Sequence, residues 1–113
     1  MIYYQGDDIH FSIDIKQVAG KDTDWSNFTS VVVYLYTHQS YIVKFKNSYD
    51  KTYQLLAINK DKTTFIGKLT PEQTRMMKGA LKMSIRAIDN LDNVSTKDIN
   101  TGIRILPTPI KYE

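Results

Sequence analysis

The stretch Ile9-His10-Phe11-Ser12-Ile13-Asp14-Ile15-Lys16 decides the class of fold. Its apolar residues occupy every second position. A helix needs them three and four apart; period two places them on one side of an extended strand, with His10, Ser12, Asp14 and Lys16 on the other. The strand is expected to run to the end of this stretch.

The same period continues downstream. Ser30-Val-Val-Val-Tyr-Leu-Tyr-Thr37 is the strongest strand signal and is apolar on both faces. His38-Gln39-Ser40 turns it into Tyr41 to Lys46, and Asn47-Ser48-Tyr49-Asp50 turns the chain again. Tyr53 to Asn59 and Thr63 to Leu69 read as a hairpin closed by Asn59-Lys60-Asp61-Lys62. Leu81, Met83, Ile85 and Ala87 alternate with Lys82, Ser84 and Arg86. After the turn Asp89 to Asn93, Val94 to Leu106 returns as the last strand, with Ile103 and Ile105 inward. Trp25 and Phe28 are expected to plug the edge of a core built on Phe11, Ile13, Val33, Leu35, Phe65, Met83, Ile85 and Ile103.

One segment departs from period two. Thr70-Pro71-Glu72-Gln73 places a capping hydroxyl, a proline at the first helical position and a Gln three residues after the cap. This predicts a helix over about 71–78 with Gly79 at its C-cap. The sum is about seven strands with one short helix before the sixth, and turns every eight to twelve residues. That pattern fits an all-β, immunoglobulin-like sandwich. A five-stranded barrel of the OB type fits the same turn spacing. No repeat, low-complexity stretch or linker divides the chain, so residues 1–113 read as a single domain. Pro107 and Pro109 end the sheet and leave residues 107–113 as an extended tail.

Composition narrows the function. The chain has 113 residues, 42% of them hydrophobic, which is enough apolar material for one core. It has no Cys, which excludes disulfides, thiolate metal sites and a cysteine nucleophile. No apolar run approaches the ~20 residues of a membrane span, and Met1 to Asp8 lacks the basic-then-apolar order of a signal peptide. No membrane association is expected.

Catalytic and metal motifs fail on inspection. Before Gly20-Lys21, a phosphate loop would need glycine where Ile15 stands, and Asp22 replaces its Ser/Thr. Asp22-x-Asp24-x-Ser26 opens like a calcium loop, but Asn27 stands at its glycine position and Val33 at its bidentate glutamate position. His10 and His38 stand apart from any ligand spacing. Asp89 and Asp92 flank a turn, where local hydrogen bonding explains them. No enzyme activity, cofactor or metal is expected.

Charge and aromatics point instead to a surface. Residues 1–59 hold five Lys and six Asp, a net of −1, whereas residues 60–113 hold ten basic and six acidic residues, a net of +4. Lys60, Lys62, Lys68, Arg75, Lys78, Lys82 and Arg86 dominate the second half, and such a patch can steer an acidic partner. Tyr34 and Tyr36 lie on the face opposite Val33 and Leu35. If the latter fill the core, the tyrosines form an outward apolar row of the kind interfaces favour. Beyond Pro107, Ile110 and Tyr112 project from an extended segment able to lie on a neighbour. The candidate interaction surface is therefore Tyr34, Tyr36, Arg75, Lys78, Lys82, Arg86, Ile110 and Tyr112.

Leu69-Thr70-Pro71-Glu72-Gln73-Thr74, then Met77-Lys78-Gly79, the strand Leu81 to Asp89 and the closing Thr101-Gly102-Ile103-Arg104-Ile105 together resemble small immunoglobulin-like domains of tailed-phage virion proteins. The N-terminal domain of the baseplate upper protein family is the best-known example. Gly6-Asp7-Asp8-Ile9 and Asp24-Trp25 with Phe28 fit the same pattern. Leu81 departs from it, standing where an aromatic is common, and Asn90-Leu91-Asp92-Asn93 replaces a turn glycine. The resemblance implies a virion component docking on other virion proteins, whether major capsid, head-fibre, tail or baseplate, in many copies per particle. In the baseplate proteins a linker and fibre follow the domain; a stand-alone copy is expected to be a capsid auxiliary (decoration) protein or a small tail or baseplate piece. The Lys-, Ile-, Asn- and Tyr-rich flavour suggests phages of Bacteroides-type gut bacteria, crAss-like ones included. Two alternatives stay open at this point: a carbohydrate- or host-surface-binding module, and a single-stranded nucleic-acid-binding barrel, the latter the less expected.

Overall fold

The computed structural model describes residues 1–20 and 23–109. The protein is mostly β, with short helices only. Nine strands occur among the described residues: β1 (Ile2–Tyr4), β2 (Ile9–Asp14), β3 (Phe28–His38), β4 (Tyr41–Lys46), β5 (Gln54–Leu55), β6 (Ala57–Ile58), β7 (Thr64–Leu69), β8 (Gly79–Asp89) and β9 (Val94–Leu106). Two short helices, α1 (Ile15–Ala19) and α2 (Pro71–Arg75), and one 3-10 turn at Trp25–Asn27 complete the list. The strands form a large sheet in the order β1-β9-β8-β3-β4-β5 and a small one in the order β2-β7-β6.

The two sheets face each other across the core. The alternation read from the sequence holds: Ile9, Phe11 and Ile13 of β2, Val31, Val33 and Leu35 of β3, and Leu81, Met83, Ile85 and Ala87 of β8 are all buried. Phe11 of the small sheet meets Phe45 of the large one edge to face, with centroids 5.0 Å apart. Trp25 closes one end of the core as expected. Its ring packs on Phe28 and Phe65, and its indole N–H donates to the Thr63 carbonyl (3.1 Å), which satisfies the one polar atom it buries. Ile103 packs against the core but stays partly exposed, while Ile105 is fully buried.

Four expectations are corrected. The first strand stops at Asp14, not Lys16, because the Asp14 N–H donates to the Gln17 side chain (2.8 Å) and starts α1, which buries Ile15 and Val18. The segment 53–59 is two strands, since the chain changes sheets at the buried Leu56: β5 pairs in parallel with β4 and β6 antiparallel with β7. Residues 2–4, unassigned from sequence, pair in parallel with the end of β9, as Ile2 opposite Arg104. These last two changes turn the expected seven strands into nine. Finally, α2 ends at Arg75. The Thr70–Gln73 capping box forms as read (Gln73 N–H to Thr70 Oγ1, 3.3 Å; Thr70 N–H to Gln73 Oε1, 2.9 Å), but the Gln5 side-chain amide donates to the Arg75 and Met77 carbonyls and pulls the chain out of the helix. Gly79 then opens β8 with φ 106°, instead of capping the helix.

A wide bulge interrupts the β8–β9 ladder. Lys82 lies opposite Asn100 and Ala80 opposite Arg104, so β9 carries two extra residues there. An even insertion preserves the alternation of faces, which is why Ile99, Ile103 and Ile105 all point inward. Within the 107–113 tail, the Thr108 hydroxyl donates to the Gln5 carbonyl and so holds the first tail residues on β1's end of the body; residues 110–113 lie outside the described residues.

Candidate functional site

The outer face of the large sheet gathers most of the expected surface residues. Inward burial of odd-numbered β3 residues sends Val32, Tyr34 and Tyr36 outward, where all three are half-buried. Register then sets their neighbours. Lys46, Val32 and Arg86 form one cross-strand row; Lys44, Tyr34, Ser84 and Asp98 form the next; Ile42, Tyr36, Lys82 and Asn100 form the third. The result is an aromatic and aliphatic centre in β3 and β4 with cations on both sides.

Tyr53, from the loop before β5, covers one margin. The Lys44 and Lys46 ammonium groups lie 5.8 and 5.7 Å from its ring centroid. Burial pushes the Tyr34 phenol above the ordinary value, reinforced by the neighbouring Tyr53 phenol and opposed by Lys44 and Arg86. Lys46 pairs with Asp50 at 3.7 Å, and Ser84 Oγ donates to Asp98 at 2.6 Å. Lys44, Lys82 and Arg86 have no carboxylate within ion-pair distance among the described residues. The face is therefore positive and partly apolar.

The other expected residues lie elsewhere. Arg75 is exposed at the end of α2 and lines a cavity of about 330 Å³ with Tyr4, Gln5, Asp7 and Pro109. Lys78 is exposed beyond the far end of β3, where its main-chain N–H donates to Thr37 Oγ1 (3.2 Å). Lys60 and Lys62 sit in the β6–β7 turn and Lys68 faces Asp8 at 3.9 Å on the small sheet, so the basic run in the sequence is spread over several surfaces. Ile110 and Tyr112 lie outside the described residues. Conversely, Lys44, Lys46 and Tyr53 join the face without having been singled out from sequence. The alternation of Lys44 and Lys46 in β4 was visible, but only the β3–β4 register brings them beside Tyr34.

The remaining polar candidates serve local structure. Asp24 accepts from the Ser26 main-chain N–H (2.9 Å) and from the Ser26 hydroxyl, and these bonds hold its carboxyl below the usual value. Asp89 accepts from the Leu91 and Asn93 main-chain N–H groups, 2.9 Å each, and is lowered chiefly by Asn93. His10 and His38 are exposed, and Asp22 lies outside the described residues. No cluster of three or more metal-ligating side chains occurs among the described residues. No helix of the described residues is long and apolar enough to cross a membrane.

A shallow cavity of about 250 Å³ adjoins the Tyr53 margin, bordered by Tyr41, Lys44, Lys51, Tyr53 and Gln54. The Gln54 side-chain oxygen is buried without a hydrogen-bond partner among the described residues. Comparison of the chain with family models, with curated proteins and with solved structures finds no match.

Proposed function

We propose that this protein is a non-enzymatic structural component of a tailed-phage virion, an immunoglobulin-like sandwich that docks on a neighbouring capsid, head-fibre, tail or baseplate protein. One observation carries the docking role: the outer face of a six-stranded sheet holds Tyr34, Tyr36 and Ile42 half-exposed at its centre, with Lys44, Lys82 and Arg86 around them lacking a carboxylate partner among the described residues. Tyrosine and arginine are the residue types that interfaces concentrate, and a rigid sheet presents them with little entropy to lose on binding. In a particle, many copies acting together turn modest single contacts into firm attachment. The virion assignment rests on the sequence resemblance around α2, β8 and the end of β9.

Sedimentation of purified particles, followed by mass spectrometry of the pellet, tests this reading. The protein should travel with the particles at a fixed stoichiometry. Its absence from washed particles would overturn the virion role.

A carbohydrate-binding module is the second reading. The unpartnered Gln54 oxygen beside Tyr41, Tyr53 and Lys51 supports it, since a sugar hydroxyl could donate to that atom. A glycan array separates the two. Stacking of nucleic-acid bases has less support, because two lysines already lie over the Tyr53 ring.

A further inference from the structure

The two sheets share a continuous stretch of strand along one side. There β5 and β6 follow each other through Leu56. On the opposite side the small sheet ends in β2, and the large one in β9 with β1 added only at Arg104 to Leu106. The helix α1, which follows β2, packs against β9, and β2 and β9 are not paired with each other. Between them lies a cavity of about 200 Å³ floored by Phe11, Leu35, Leu81, Met83 and Ile99. None of the residues lining it is Asp, Glu, Lys or Arg.

Hydrogen-bond alternation shows which main-chain groups face this seam. In β2, the Ile15 N–H donates toward β7, to Thr63, and the Asp14 N–H turns the other way, to Gln17 (2.8 Å each). Odd residues of β2 thus pair with β7, and His10 and Ser12 present their N–H and C=O groups to the seam. In the large sheet, Asn47 N–H donates to the Val31 carbonyl (3.1 Å), so odd residues of β3 bond to β4 and even ones to β8. Through the register, Met83 and Ile85 of β8 then bond to Ile99 and Lys97, and Thr96, Asp98 and Asn100 turn their main-chain groups outward. Among the described residues these groups have no main-chain partner. Further along the same edge β1 supplies one: Arg104 N–H donates to the Met1 carbonyl (2.9 Å) and the Met1 amine to the Gly102 carbonyl (2.8 Å).

We propose that this seam is a strand-acceptor slot, in which an extended, uncharged segment of a neighbouring protein, apolar at alternate positions, adds to the free edge of β9 in line with β1. Three observations fix that occupant. The β1–β9 ladder already runs along this edge and stops short of residues 96–100, so the added strand continues an interface the fold has begun. Main-chain donors and acceptors on both walls call for a backbone in the extended form, and the apolar floor calls for alternate apolar side chains. The uncharged lining selects against a charged segment, since a charge buried there would lack a partner. A slot walled by two strands and α1 admits a lone segment but not the edge of another folded sheet, which argues for a partner's arm over a second copy of this chain. The slot uses main-chain groups at the β9 edge, whereas the docking face uses side chains of β3, β4 and β8, so the proposal does not rest on the docking face.

Amide hydrogen exchange on the full chain tests it, with the synthetic peptide acetyl-Thr-Val-Thr-Val-Thr-Val-Thr-amide as probe. In the free protein the amides of His10, Ser12, Asp98 and Asn100 should exchange as surface amides. Peptide at about 1 mM should slow Asp98 and Asn100 about tenfold or more. An analogue with Glu for each Val should not. The Asp98→Pro variant removes an N–H that pairs with nothing among the described residues; it should keep the melting temperature within a few degrees and weaken peptide protection at Asn100 about tenfold. If that variant fails to fold, the wild-type exchange data decide alone. Protection of these amides in the free monomer would assign the slot to the chain's own residues, protection that grows with protein concentration would assign it to a second copy, and no protection by the peptide would mean that it takes no strand. Each of the three overturns the proposal.

Discussion

Gly67 of β7 lies directly under the ring of Phe11 on β2: a Cβ built at Gly67 would stand 2.2 Å from Phe11 Cζ. The glycine is therefore a space requirement, since its backbone is ordinary strand. Phe11 uses that space to reach across the core and meet Phe45. Gly67→Ala must push the ring off this position, and overpacking of a filled core costs about 1–3 kcal/mol. Denaturant unfolding should show that loss. Phe11→Ala should cost about 3–5 kcal/mol by itself. The double variant should cost clearly less than the sum, because the clash disappears with the ring. Additive penalties would mean that the two residues do not share this space.

Thr74 is the one fully buried polar side chain among the described residues. Its hydroxyl accepts from the Gly6 N–H (3.0 Å) and donates to the Asp7 carbonyl (2.9 Å), pinning the β1–β2 turn onto α2. Thr74→Val keeps the volume and strands both main-chain groups. The expected loss is about 1–3 kcal/mol. Thr74→Ser, which keeps the hydroxyl, should recover most of it. Equal destabilisation by the two variants would assign the role of Thr74 to its methyl group instead.

Side-chain alternation made β4, β7 and β8 legible, because each has one buried and one more exposed face, and β3 was legible from its run of β-branched and aromatic residues. The Thr70–Gln73 box was legible for the same local reason: its partners are three residues apart. What escaped depended on distant chain. Residues 2–4 have exposed Ile2 and Tyr4 and no periodic signal; only the far end of β9 makes them a strand. The break at Leu56 escaped because alternation records which face a residue takes, not which sheet its strand joins. In the candidate site, Tyr34, Tyr36, Lys82 and Arg86 followed from parity within single strands. Lys44, Lys46 and Tyr53 required the register between strands, and Arg75 lies on another surface because nearness in sequence to Lys82 is not nearness in space.

The outer face should be separable from the core. Lys44, Lys82 and Arg86 are exposed and have no carboxylate partner among the described residues, so the triple change Lys44→Glu, Lys82→Glu, Arg86→Glu should shift the melting temperature by only a few degrees. The same change reverses the sign of the face. Incorporation into particles should fall by tenfold or more relative to wild type, on the order of one lost charge-assisted contact. Attachment of the wild type should also weaken as salt rises, since exposed charges are screened. Normal incorporation of the triple variant would move docking to another surface.

Tyr34 gives the same face a signature in alkali. Its phenol is held above the ordinary value of 10.0, first by burial and then by the neighbouring Tyr53. In the folded chain Tyr34 thus keeps its proton at a pH where the unfolded chain has begun to lose it. The folded state then binds more protons than the unfolded state, so stability falls as pH rises. The contribution is fully present below about pH 10, the unfolded value, and is lost as pH climbs through the higher folded value. Tyr34→Phe removes the titrating group and keeps the ring on the sheet. Unfolding measured from pH 8 upward should show a shallower alkaline decline for the variant than for the wild type, with the two curves running parallel below pH 9. Ultraviolet titration should show one fewer late-ionising tyrosine in the variant. Curves that stay parallel through the alkaline range would mean that Tyr34 titrates as an ordinary surface phenol and that Tyr53 does not shelter it.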